Sequence, residues 1–173
     1  MAGDIKLKRA ASSALTVTNL HSLASSSDWT AGWTSEAIDC AEYRDIKLSG
    51  TFTTHASNRQ AGQINVWAYS ALNDTPTWPD VFSAGTEGTE GTATIHDTEQ
   101  RDSGFVLLYT LIVDNGASEV YTFPPINIAP FFGGDLPTDI AIFVSQNATT
   151  TTTAGLAAAG SALYITPIFD QYT

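Results

Sequence analysis

The sequence predicts an all-β chain folded as an antiparallel β-sandwich, with a jelly roll as the arrangement it fits best. Three observations carry this. Seven or eight short segments alternate with period two or run continuously apolar, turn formers separate them, and no segment of helical period exceeds about two turns. At 173 residues the chain has the length of one domain, enough to remove roughly 70% of its unfolded surface from water. Residues 1–12 read as a flexible basic N-terminal arm and residues 13–173 as a single sandwich domain with long loops.

The first strand is expected at Ala14–Thr18, where Leu15 and Val17 alternate with threonines. Residues 19–43 read as an irregular connection anchored by Trp29 and Trp33. From Arg44 to Thr54 the alternation of Ile46, Leu48, Gly50 and Phe52 with Lys47, Ser49, Thr51 and Thr53 predicts a strand with one buried face. Gln63–Ser70 places Ile64, Val66 and Ala68 on one face and Asn65, Trp67 and Tyr69 on the other, and the two large aromatics predict cover on both faces. Residues 71–104, with Asn73-Asp74, Pro76, Pro79 and the Gly-Thr-Glu repeat of residues 85–92, read as an exposed mobile loop.

Phe105–Val113 is the strongest buried strand, and Asp114-Asn115-Gly116 signals a hairpin that pairs it with Val120–Phe123. Ile126–Ala129, after two prolines, is an edge segment, because those prolines remove ladder donors. Ile140–Ser145 and Ala162–Phe169 complete the set, separated by a Thr- and Ala-rich stretch, residues 147–160, that reads as a loop or a short helical turn.

Charge divides the chain. Lys6, Lys8 and Arg9 give residues 1–9 a charge of +2, whereas the remainder carries −13, with only Arg44, Lys47, Arg59 and Arg101 opposing seventeen acids. A net charge of −11 argues against nucleic acid as a partner, since phosphate neutralisation supplies most of that affinity. There is no charge-free apolar core of a secretory signal near the start and no apolar run long enough for a membrane span. A soluble chain made in the cytoplasm is therefore expected.

The residues do not compose a recognisable catalytic site. Cys40 is the single cysteine and reads as a small buried side chain rather than a nucleophile. His21, His55 and His96 are isolated from one another and from Cys40 at metal-ligand spacings. Close carboxylates such as Asp39 with Glu42 and Asp97 with Glu99 are expected by chance among eighteen acids. Glu87 and Glu90 lie in the Gly-rich loop without the dense alternating oxygens of a calcium loop, and Asn147-Ala148-Thr149 matches the glycosylation acceptor pattern by chance. The expectation is thus no enzyme, no cofactor and no metal. Aromatics leave a second reading open, a carbohydrate-binding or adaptor module using Trp78, Trp67 or Tyr69, of which only Trp78 sits in a loop.

Several blocks occur in an order that resembles small structural proteins of tailed bacteriophages. They are Ser22-Leu23-Ala24-Ser25, Gly32–Asp39, Ile64–Ser70 followed by a long loop, Phe131–Pro137, and a closing segment from Tyr164 to Tyr172. The resemblance runs from about residue 14 to the end; the acidic Gly loop and the basic arm depart from it. It implies a non-enzymatic virion component, a decoration or cement protein on the capsid surface. The implied partner is the major capsid protein or another virion protein, and the implied assembly is a homotrimer on local three-fold axes. Lys6, Lys8 and Arg9 are then the expected contacts to the shell.

Overall fold

The structure is a computed structural model that describes residues 5–150 and 155–172, with no description of the Tyr172 side chain. Eleven strands occur in the described residues: β1 (Ile5–Arg9), β2 (Ser13–Ala14), β3 (Ala31–Thr34), β4 (Ile38–Asp39), β5 (Asp45–Thr53), β6 (Gly62–Ser70), β7 (Gly91–Thr94), β8 (Val106–Val113), β9 (Val120–Asn127), β10 (Asp139–Gln146) and β11 (Ala162–Tyr172). A seven-residue helix, α1 (Thr98–Gly104), and a short 3-10 turn, η1 (Ala129–Phe132), accompany them.

The strands form two antiparallel sheets. The first has the order β1–β11–β5–β9, with β2 continuing the β1 side of β11; the second has the order β7–β3–β10–β6–β8, with β4 also on β10. Reading β2, β3, β5, β6, β8, β9, β10 and β11 as eight successive strands gives four in each sheet in the interleaved order of a jelly roll. The predicted all-β sandwich is therefore the observed fold.

Inner faces follow the sequence alternation. Ile46, Leu48 and Phe52 of β5 meet Ile64, Val66 and Ala68 of β6 and Ile140, Ile142 and Val144 of β10 in one buried cluster. Phe52 stacks on Phe123 at a centroid separation of 6.1 Å. At about 1.5–3 kcal/mol for each large apolar side chain removed from water, this cluster is the main source of stability.

Four expectations about strands change. Residues 5–9, read as part of a flexible tail, form β1 against Ile168–Tyr172. The first domain strand is only β2, after which Leu15 donates to the Leu163 carbonyl at 2.9 Å and the ladder ends. The segment of residues 19–43 contains β3 and β4, and Trp33 within β3 is fully buried. Finally, β8 and β9 are not a hairpin: β8 pairs β6 and β9 pairs β5, so the turn after Val113 crosses from one sheet to the other. Asp114 still closes that turn, accepting from the Gly116 amide and from the Tyr121 hydroxyl, each at 2.7 Å. The turn signal was local and real, but it does not specify which strand lies alongside. The Pro124-Pro125 pair sits within β9, at the edge of its sheet, as donor-poor residues require.

The largest correction concerns residues 71–104. Far from being an open loop, this segment lays Val81, Phe82, Ala93 and Ile95 over the outer face of the second sheet. There they meet Trp67, Tyr69, Ala141 and Phe143, forming a second buried cluster that Phe105 completes. Glu87 accepts from the amides of Val81 and Phe82 at 3.1 and 2.8 Å. Glu90 accepts from the Trp33 indole at 2.8 Å and from the Asn19 amide and side chain at 2.8 and 2.7 Å. The two acids read as loop solvation are thus the pins that hold the cover down.

Candidate functional site

β11 is eleven residues long, and β5 pairs with it only as far as Ile168. Beyond that point residues 169–172 pair with β1 alone, producing a two-stranded ribbon that continues past the body of the first sheet. All five residues of β1 are exposed. Side chains alternate across a strand, so Lys6 and Lys8 share one face while Ile5, Leu7 and Arg9 share the other. The three cations expected at this site are brought together on one strand but do not make one patch.

On the first face Lys8 lies opposite Phe169, with its ammonium 5.5 Å from the ring centroid, and Lys6 lies opposite Gln171. On the second face Ile5 and Leu7 remain 60% and 70% exposed. A 250 Å³ hollow adjoins this face, bounded by Leu7, Arg44, Asp45, Pro130 and Ile168. Asp45 there is buried and committed, its Oδ1 accepting from the amides of Ile46, Ile128 and Ala129 at 2.8, 3.1 and 2.9 Å. Among the described residues Lys6, Lys8 and Arg9 form no ion pair; Arg101 pairs with Asp102 at 2.7 Å, and His96 Nε2 lies 3.7 Å from Asp80. The ribbon therefore presents Lys6 and Lys8 on one face, and uncovered Ile5 and Leu7 with Arg9 on the other.

The aromatic residues singled out for ligand contact sit elsewhere. Tyr69 is fully buried, with its hydroxyl paired to Thr34 at 2.7 Å and accepting from the Gly88 amide at 3.1 Å. Burial pushes that phenol up to about 12. Trp78 is half-buried edge-on to Tyr69, with a 5.3 Å centroid separation. It also covers Gly88, whose φ of +67° favours glycine and where a Cβ would stand 2.6 Å from the indole. Tyr69 is a buried member of the second cluster, and Trp78 packs against that cluster half-buried. Trp67 is 7% exposed.

Other reactive groups are occupied. Burial, reinforced by Asp139 and Asp39, pushes the Cys40 thiol up to about 12, which leaves it protonated and inert at neutral pH. His21 contacts the Ser161 carbonyl, and His55 accepts from the amides of Ser57 and Asn58. Among the described residues no group of three His, Cys, Asp or Glu side chains is placed to hold a metal ion, and no helix is long and apolar enough to cross a membrane.

The chain matches no protein-family model and no curated protein.

Proposed function

We propose that this protein is a non-enzymatic structural component of a tailed-bacteriophage virion, a decoration or cement protein that binds the outer surface of the head shell through the β1–β11 ribbon. The single observation that carries the reading is that ribbon, where Lys6, Lys8 and Arg9 form no ion pair among the described residues of an otherwise acidic chain, beside exposed Ile5 and Leu7. A two-stranded ribbon is marginal by itself in water, so docking that covers Ile5 and Leu7 would also steady the ribbon.

The two faces contribute unequally. Exposed ion pairs add about 0–1 kcal/mol each and are screened by salt. Covering a largely exposed Ile or Leu contributes about 1–2 kcal/mol, scaled from the full-burial value. The apolar face thus supplies most of the affinity, while Lys6 and Lys8 steer the ribbon towards an acidic patch of the major capsid protein. A homotrimer on a local three-fold axis multiplies a weak contact into avidity without demanding a large surface from each copy. The acidic body then faces solvent, where like charges keep free copies apart. Such a protein is made in the host cytoplasm and ends on the virion.

Deleting residues 2–10 tests the proposal. β1 pairs only with the end of β11 and contributes nothing to either buried cluster, so the truncated protein should melt within a few degrees of the intact chain. It should fail to co-sediment with undecorated heads. Undiminished occupancy by the truncated protein would sink the proposal.

A further inference from the structure

A cleft of about 410 Å³ opens on the outer face of the second sheet, beside the cover rather than beneath it. Four elements build it. The turn before β3 supplies Trp29, β6 supplies Asn65 and Trp67, and the end of α1 with the start of β8 supplies Arg101, Asp102 and Leu107.

Its walls are fixed in place. Trp29 has a φ of +64°, a conformation that a bulky residue adopts only when its surroundings impose it. The imposing group is Asp28, whose Oδ1 accepts from the hydroxyls of Ser26 and Thr30, both at 2.8 Å. Arg101 then ties the turn to α1 by donating from Nη1 to the Asp28 carbonyl. Trp29 is half-buried and tilted at 59° to Trp67, with ring centroids 6.4 Å apart. Leu107, 48% exposed, faces the same opening.

The polar groups of the cleft are incompletely used. Asn65 is 7% exposed, and its Oδ1 accepts from the Thr110 hydroxyl at 2.7 Å. Its amide N–H groups have no partner among the described residues, and neither do the indole N–H groups of Trp29 and Trp67; by contrast, the Trp33 indole is held by Glu90. These donors are not among the buried unpartnered side-chain atoms, so they open into the cleft, where water or a ligand can accept from them. Arg101 donates from both Nε and Nη2 to Oδ1 of Asp102, at 2.8 and 2.7 Å, which neutralises the guanidinium and leaves Oδ2 free to accept.

We propose that this cleft is a carbohydrate site for a neutral pyranoside. The apolar face of the sugar ring lies on Trp29 with Leu107 beside it, hydroxyl oxygens accept from the Asn65 amide and an indole N–H, and a hydroxyl donates to Asp102. An aromatic platform beside unpaired donors and one free acceptor matches a molecule with an apolar face and hydroxyls around its rim. The internal Arg101–Asp102 pair and the acidic chain select against anionic sugars. The inference does not rest on the attachment reading, because ribbon and cleft lie on different sheets.

The test is a titration of isotope-labelled full-length protein with maltotriose, cellotriose, mannotriose and chitotriose into the tens of millimolar, reading the four indole N–H resonances. At least one trisaccharide should move the Trp29 and Trp67 signals and leave Trp33 and Trp78 in place. Trp29→Ala should weaken that binding about tenfold, the loss of one stacked ring at the upper end of its usual worth. Asp102→Ala, at an exposed side chain, should weaken it severalfold with an unchanged melting temperature, which keeps the test decisive should Trp29→Ala fold poorly. Silence of all four indoles with all four sugars, equal movement of every indole, or undiminished affinity in Asp102→Ala would overturn the proposal.

Discussion

The outer face of the second sheet carries Trp67, Tyr69 and Phe143 beneath the segment of residues 71–105, whereas the outer face of the first sheet carries half-buried Lys47, Ser49, Thr51 and Thr166 beside exposed Tyr164. Both sheets share one inner core, yet only one has been given a second. The difference follows from which residues occupy the outward positions. Large rings must be covered, and the chain spends more than thirty residues covering them; threonine, serine and lysine suit a pleated surface in water. Cover also creates the polar sockets at its margins, so the asymmetry between sheets places the cleft on one and leaves the ribbon to the other.

The largest effect is expected from removing a ring that belongs to the cover. Phe82 is 1% exposed and contacts Tyr69, Phe105 and Phe143 at centroid distances of 5.5, 5.8 and 5.7 Å. Phe82→Ala should lower unfolding free energy by about 3–5 kcal/mol in denaturant titration. A loss below about 1 kcal/mol would mean that the cover is not part of the cooperative fold.

Next in size is the pin. Burial alone would raise the Glu90 carboxyl, but hydrogen bonds from the Trp33 indole, the Asn19 amide and the Asn19 side chain outweigh it and hold the group below its ordinary 4.5. A depressed acid binds protons more weakly folded than unfolded. Its contribution is therefore complete above the unfolded value and lost as pH falls through the lower folded one. Glu90→Gln should cost about 1.5–3 kcal/mol at pH 7, the usual worth of hydrogen bonds to a charged group. It should also flatten the stability profile below about pH 4.5. Equal acid sensitivity in the variant would remove Glu90 as the pin.

Smaller effects belong to the first sheet. Leu7→Ser should weaken shell binding by about 1–2 kcal/mol while Lys6→Ala weakens it by less than about 1, the latter difference vanishing in high salt. The reverse ranking would make the ribbon an electrostatic tether rather than an apolar one. Ser49→Ala, on the open face, should change stability by no more than about 0.5 kcal/mol; a larger loss would show that this face is covered in the free protein.

The core strands were legible because their alternation is a local property. Ile46 to Phe52 and Ile64 to Ser70 sort their own faces, and the aromatic outer face of β6 even announced that something must cover it. What covers it was not legible, because residues 71–104 are joined to the sheet by scattered contacts with no period, and their Gly, Pro and Glu content is that of a solvated loop. Glu87 and Glu90 illustrate the limit: their carboxylates are structural only through partners that fold back from residues 19, 33, 81 and 82. β1 was missed for a similar reason. Five exposed residues leave no hydrophobic signature beyond Ile5 and Leu7, and only the unusual length of β11 provides them with a partner. Of the cleft, Trp67 was visible as an outward ring; Trp29, Asn65, Arg101 and Asp102 converge from separate segments and had no shared motif to find.

The claim that the ribbon is the attachment device is tested most directly by an electron-microscopy reconstruction of decorated heads. The expected result is trimeric density on the local three-fold axes, with residues 5–9 and 168–172 seated on the shell and the covered sheet turned towards solvent. Particles in which the ribbon points outward, or in which the chain is missing from the head, would contradict it.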